Sequence, residues 1–256
     1  MTDAARPRRR TGRTIAIVAI ILVVLTALPA AAEAIARSVV VNTVRSLVVQ
    51  QVGLPSDQRV DVEVPGIVLP QLLTGRLDEV AVSASDVVLG PLTGDVRVDL
   101  QDVPVAGDAP AAGGSASVRL APDQLRALLS QIPDFPADTV DTAAPDLTLS
   151  TQLSVFGIAI PVGISVTPGV TDGDLTLTPT SFELAGNRVD ADTLRGQVGG
   201  VADGVLRTWS LCIADRLPAG LTLTSVSVQG ADVVATLDID GRIINDPTLQ
   251  QNGTCG

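Results

Sequence analysis

Arg6, Arg8, Arg9, Arg10 and Arg13 precede an apolar run from Ile15 to Leu28, broken only by Thr26, and Pro29-Ala30-Ala31-Ala32 follows. A basic end, an apolar middle and an Ala-x-Ala finish form an export signal. The run Ile15–Leu28 has 14 residues and reaches 18 when extended through Ala32, against roughly 20 for a spanning helix. Two outcomes stay open. Cleavage near Ala32 leaves Glu33 as the new N-terminus; retention keeps 15–32 as a membrane anchor. In either case residues 1–14 remain cytoplasmic and the chain beyond is translocated. The expected location is the outer face of the cytoplasmic membrane, in the cell envelope, with the protein anchored there or released.

Charge divides at the same boundary. Residues 1–14 carry five Arg and one Asp. The remainder carries 12 Arg against 27 acids, a net of −15, and there is no Lys in the chain. An acidic exported domain without a basic stripe is a poor nucleic-acid ligand, so no nucleic-acid partner is expected. It also binds anionic membrane surfaces weakly by charge alone. Any membrane contact has to be apolar or local.

About 220 residues follow the first 32 of 256, enough for one large domain or two small ones. Cys212 and Cys255 are the only cysteines, and in an oxidising compartment an even pair reads as one disulfide. With no His and no Tyr, Ser–His triads, Cys–His dyads and His-ligated zinc are excluded. No Gly-x-Ser-x-Gly motif is present. No enzyme activity, catalytic residue, metal site or cofactor is expected. The apolar content is nearly all Val, Leu, Ala and Ile, with three Phe and one Trp, a usage that a genomic codon bias also produces.

The spacing of apolar residues sets the element expectations. Ile35, Val39, Val40, Val44, Leu47 and Val48 recur at helical steps, so a helix is predicted over 33–52, ended by Gly53 and Pro55. Strict alternation predicts strands at 59–64 and 95–103, extended pieces at 80–83 and 87–89, and a short helical turn at 69–73. Residues 106–115, rich in Gly, Ala and Pro, read as a loop. Pro122 to Gln131 reads as a helix and 133–146 as a connection. Strands follow at 147–153, 175–177 and 182–184, with a turn at Asp172-Gly173-Asp174. Asp192 opens a helical pattern that runs to Trp209, and strands at 221–228 and 232–239 close the domain. Leu77-x-x-Val80-x-Val82-x-x-x-Asp86-Val87-Val88 matches Leu223-x-x-Val226-x-Val228-x-x-x-Asp232-Val233-Val234, a weak internal repeat suggesting two related halves. The segments are 1–14 (basic cytoplasmic end), 15–32 (signal or anchor), 33–246 (the folded domain) and 247–256 (tail).

Long amphipathic helices with many antiparallel strands make an α+β domain. Small side chains between a long helix and a sheet leave apolar space, which suits an apolar ligand. An acyl chain gains about 0.8 kcal/mol per methylene, roughly 12 kcal/mol gross for 16 carbons, with no charged contact needed. A filled core of ordinary density is the alternative. It corresponds to a structural or scaffolding envelope protein with a protein partner and no ligand cavity.

Several segments carry a resemblance. They are Val64-Pro65-Gly66, Leu72-Leu73-Thr74-Gly75-Arg76-Leu77-Asp78-Glu79-Val80-Ala81-Val82, Gly173-Asp174-Leu175-Thr176-Leu177-Thr178-Pro179, Leu217-Pro218-Ala219-Gly220-Leu221 and Leu223-Thr224-Ser225-Val226-Ser227-Val228. Together with the export segment leading into a helix, they make residues 33–241 resemble the actinobacterial LmeA-like phospholipid-binding family. That family is similar to the tubular lipid-binding modules of bactericidal permeability-increasing and synaptotagmin-like lipid-transfer proteins. The resemblance implies a long helix packed in a strongly curved antiparallel sheet around a lipid groove. The implied role is binding, or moving, phospholipid or another acyl lipid in the envelope.

On that reading, Val40, Val44 and Leu47 of the helix and Val82 and Leu177 of the sheet are the expected lipid-binding residues. Val155, Phe156 and Ile158 flank Gly157 and form a candidate hairpin tip for membrane docking. A strand buried on both faces predicts the same apolar run. Asp172-Gly173-Asp174 and Asp238-Ile239-Asp240-Gly241 lack the other ligands of a calcium loop and fit turn chemistry. Arg76 beside Asp78 and Glu79 is either a lipid head-group contact or a solvated charge cluster.

Overall fold

The computed structural model describes residues 10–52, 55, 58–89, 92–130, 137–155, 158–184, 186–198 and 207–255. Helix α1 (Arg10–Val52) is one 43-residue rod that joins the apolar N-terminal segment to the predicted domain helix without a break, with Pro29 inside it. Its two halves differ in environment. Ile17, Val18, Ile20, Ile21, Leu22, Val23, Leu25 and Leu28 are all at least half exposed. From Ala36 onward, Val40, Val41, Val44, Val48 and Val49 form a stripe packed on the buried residues Val60, Val62, Val64, Val68, Leu77 and Val80. The 36, 40, 44, 48 spacing is the sequence-level cause, because it keeps one face toward the core.

Strand β1 (Val60–Glu63) alternates buried Val with exposed acid and lies at a sheet edge. Two arginines of α1, two turns apart, brace it. Arg45 donates to the Val60 carbonyl at 2.8 Å and Arg37 to the Val64 carbonyl at 2.5 Å. Edge carbonyls that would otherwise be open to solvent pairing are thereby satisfied. Helix α2 (Val68–Thr74) follows. Gly75 ends it in the left-handed region, φ 78°, where its N–H returns to the carbonyls of Gln71 and Leu72.

The strands form two six-stranded antiparallel sheets. The first has the order β1-β2-β3-β4-β12-β11, using β2 (Arg76–Leu89), β3 (Leu92–Pro104), β4 (Gly113–Leu120), β11 (Leu221–Gln229) and β12 (Asp232–Ile239). Helix α3 (Pro122–Leu129) leads into the second sheet. That sheet has β5 (Asp141–Ala143), β6 (Asp146–Val155), β7 (Ile158–Thr171), β8 (Asp174–Leu184), β9 (Asn187–Asp190) and β10 (Trp209–Leu211), in the order β10-β8-β7-β6-β5 with β9 also paired to β8. Helix α4 (Ala191–Val198) packs Leu194 near Phe182 and Ile164. The α+β expectation holds, and the strands divide between two open sheets.

The second sheet is nested in sequence between β4 and β11 of the first. Its Val170 and Leu175 pack with Leu223, Leu237 and Ile239, and its Leu147 and Leu149 pack with Val228, Val233 and Leu125 of α3. Nesting explains why the internal repeat marks no pair of equivalent halves. Residues 77–88 lie within the single strand β2, whereas 223–234 span β11, a turn and β12. The helical pattern predicted over 192–209 also differs from the structure. Helix α4 is described as far as Val198, residues 199–206 are not among those described, and Trp209, at the predicted helix end, instead begins β10 opposite Leu177. Cys212, just past β10, is bonded to Cys255, 43 residues on.

Candidate functional site

The first sheet has two chemically opposite faces, and the strand register shows how this arises. One row crosses all six strands: Val62 opposite Val82, then Val98, Ala116, Leu237 and Leu223. A parallel row runs Val60, Ala84, Val96, Val118, Ala235, Val226. A third begins at Val80 and passes Leu100, Gly114, Ile239 and Leu221. The residues between them in sequence form polar rows on the other face, among them Asp61, Ser83, Arg97, Ser117 and Thr236. Period-two alternation on every strand, brought into register, yields this division. Six strands span five inter-strand spacings, about 24 Å of continuous apolar surface.

Both ends of that surface are covered. At the β1–β2 end, α1 packs Val40, Val44 and Val48 over Val60 and Val62. At the β11–β12 end, Val170 and Leu175 of the second sheet cover Leu223, Leu237 and Ile239. Between the two lies a strip of half-buried residues: Val82, Ala84, Val96, Val98, Leu100 and Val118. Val82 and Ala84 touch the cluster under α1, while Val98, Leu100 and Val118 touch the cluster under the second sheet. Val96 belongs to neither cluster. Gly114 on the third row is a close-approach position, since a Cβ there would sit 2.2 Å from the Asp99 carbonyl oxygen. Any larger residue would push β4 away from β3.

Among the expected lipid-binding residues, Val40, Val44 and Val82 are brought together around the Val60–Val62 cluster. Leu47 is 51% exposed, off the packed stripe of the same helix. Leu177 is half-buried on β8, opposite Trp209 and Pro168 in the second sheet. For the docking tip, Val155 pairs with Ile158 at the end of the β6–β7 hairpin; Phe156 and Gly157 lie outside the described residues, as do the side chains of Val155 and Ile158. The half-buried valines Val96, Val98 and Val118 were not singled out in sequence. For Val96 and Val98 the signal, alternation within 95–103, was legible, but that Val118 shares their face depends on the register of β3 with β4.

Polar candidates resolve into structural roles. Arg76 is committed to Asp102 at 2.5 Å and donates to the carbonyls of Asp102 and Pro110. Asp172 and Gly173, both at positive φ, form the tight turn between β7 and β8. Asp240 caps the single turn Gly241–Ile244 through the Arg242 N–H and pairs with the Arg242 guanidinium. Those interactions hold its carboxyl down to about 2. An open concavity of about 580 Å³ is lined by Pro55, Gln58, Arg59, Asp61 and Ser83 to Asp86. Its lining mixes polar side chains with Pro55 and Ala84, and it lies at the β1–β2 edge, sharing Ala84 with the apolar strip.

Glu33 and Arg37 form the most elaborate polar contact on α1. Glu33 accepts the Val68 N–H at 2.8 Å and the Leu69 N–H at 3.0 Å, the opening amides of α2, and pairs with Arg37 at 3.0 Å. Arg37 also donates to the carbonyls of Val64 and Gly66. The two amides, followed by Arg37, keep the Glu33 carboxyl below the usual glutamate range.

With this architecture in place, comparison with known proteins is decisive at family level. The model of the LmeA-like phospholipid-binding family matches residues 31–238. The chain belongs to that family. The LmeA-like match begins within α1, at the end of its apolar first half, and ends one residue before β12 does, so it takes in both sheets. No curated protein and no solved structure matches the chain. Membership supports phospholipid binding, which in turn suggests a non-enzymatic binding protein.

Proposed function

We propose that this protein holds a phospholipid, or a related acyl lipid, with its acyl chains on the apolar face of the first sheet, between α1 and the second sheet. The observation that carries this reading is the three registered apolar rows, closed at both ends and half-buried in the middle. An LmeA-like chain with an aliphatic face about 24 Å across, left half-buried over β2, β3 and β4, has the surface that acyl chains need. Binding there is driven by burial of methylenes and needs no basic residue, consistent with an exported part of net charge −15. Val40, Val44 and Val82 form the α1 end of the site; Leu47 and Leu177 belong to its margins.

The protein works at the outer face of the cytoplasmic membrane, in the cell envelope, either held there by 15–32 or released after cleavage near Ala32. The β6–β7 hairpin end, Val155-Phe156-Gly157-Ile158, is the contact through which lipid is collected or passed on. A Phe156→Asp chain should pick up lipid from vesicles severalfold more slowly at unchanged thermal stability. Purifying the full chain and extracting it with organic solvent tests the binding function itself. Phospholipid found by mass spectrometry in near-stoichiometric amount is the expected result. A lipid-free chain that also fails to take up phospholipid from vesicles would favour a scaffolding protein with a solid core.

A further inference from the structure

Helix α2 is apolar on both sides. Its inner face, Val68 with Gln71 and Leu72, packs under α1 and onto β1 and β2. Its outer face carries Ile67, Pro70 and Leu73 at three-residue steps, all exposed, Ile67 at 64% and Leu73 at 89%. A surface helix of a soluble domain ordinarily turns polar residues outward. The whole segment 64–75, VPGIVLPQLLTG, contains no charged residue, in an exported part that is otherwise strongly acidic. Two large aliphatic side chains held in the open on an uncharged segment point to a partner that is apolar and repels acids.

The place of α2 identifies that partner. Glu33 and Arg37 fasten the start of α2 to α1 directly beyond residues 15–32. At 1.5 Å rise per residue, Glu33 lies about 7 Å along the rod from Leu28, the last of the exposed large apolar residues of the first half. Residues 15–32 span about 27 Å as helix, close to the roughly 30 Å of a hydrocarbon core. If that segment sits in the bilayer, the clamp lies at head-group depth, and α2 is attached to it. Ile35 and Val39, 66% and 59% exposed on the same turns of α1, extend the apolar border.

We propose that the outer face of α2, with Ile67, Pro70 and Leu73, rests in the head-group layer of the same bilayer that α1 enters. The contact is apolar rather than electrostatic, so the acidic remainder of the domain stays clear of the anionic surface. It also places α2 between the bilayer and the Val62–Val82 end of the apolar rows. This proposal rests on residues 15–32 lying in the membrane and is separate from whether the sheet binds lipid.

The test uses the full chain in vesicles of phosphatidylethanolamine and phosphatidylglycerol, labelled singly with an environment-sensitive fluorophore. The label sites are Ile67→Cys, Leu73→Cys, Leu22→Cys in the apolar half of α1, and Val88→Cys, a position 64% exposed at the far end of β2. Labels at 67 and 73 should brighten severalfold and shift to the blue on reconstitution, as at 22, while the label at 88 stays water-like. Labels at 67 and 73 that match 88, with 22 in lipid, overturn the α2 contact and leave the anchor intact. A water-like label at 22 overturns both. Equal shifts at all four positions signify non-specific adsorption and also overturn the proposal. Phospholipid retained by the same preparations after solubilisation reports independently on lipid binding.

Discussion

Val96→Trp is the substitution that bears most directly on the apolar strip. Val96 sits mid-row between Ala84 and Val118, is half-buried, and joins none of the packed clusters. An indole there takes up the room of about three methylenes of an acyl chain, each worth about 0.8 kcal/mol. The loss is about 2.4 kcal/mol, or about 50-fold in Kd at 1.4 kcal/mol per tenfold. Because Val96 is only half-buried and belongs to none of the packed clusters among the described residues, Tm should move by no more than about 2 °C for a domain of this size. Titration of the purified chain with a fluorescent phospholipid reads the first quantity, and a thermal melt the second. An unchanged Kd in a well-folded variant would refute acyl binding on this face. A Tm fall of many degrees would instead show Val96 packed in a solid core.

Three further outcomes rest on other parts of the fold. Val68 is 0% exposed, so Val68→Ala removes about 1.6 kcal/mol of transfer energy and leaves a gap, for a total of about 2–3 kcal/mol, read as a Tm lower by about 4–12 °C; a shift under about 1 °C would mean α2 is not fastened through Val68. Replacing Cys212 by Ser opens a 43-residue separation and should cost about 4 kcal/mol in the chain-entropy account, measured by urea unfolding, with an unaltered midpoint as the opposing result. Asp240 has a depressed carboxyl, about 2, so its contribution to stability is complete above the ordinary Asp value and fades as pH falls toward 2. Asp240→Asn should therefore be less stable than the parent at pH 7, with the gap closing as the pH approaches 2; a gap that is constant with pH would contradict the Arg242 pairing.

Local periodicity made much of the fold legible. The 36-40-44-48 stripe of α1, the alternation of β1 and β3, and the Asp172-Gly173 turn each encode their own geometry. The first residues of β4, Gly113-Gly114-Ser115, fall in the stretch 106–115 that reads as loop, because they have almost no intrinsic strand preference. They form strand because β3 and β12 flank them on both sides, and the Gly114 close approach explains why small residues occupy these positions. Strand β2 was read as two pieces because Asp86, at φ 54°, interrupts its alternation within a bulge between Ala84 and Val87. The helical period over 192–209 was overridden at its end, where Trp209 pairs with Leu177. The candidate site was legible only at its α1 end. Its middle depends on the mutual register of β2, β3 and β4, since a one-residue slip would turn Val96, Val98 and Val118 to the other face, and its far end on the β4–β12 pairing of residues more than a hundred positions apart, neither of which a local pattern reports. The Glu33–Arg37 clamp was missed for the same reason, since its partners lie on α2.

Photocrosslinking with a phospholipid that carries a reactive group midway along an acyl chain tests the central claim most directly. The full chain loaded with this lipid is irradiated, digested and mapped by mass spectrometry. The account predicts label on Val82, Val96, Val98 and Val118 and on the facing turns of α1 near Val40 and Val44. Label confined to residues 15–32, or spread over the polar rows at Ser83, Arg97 and Ser117, would contradict it.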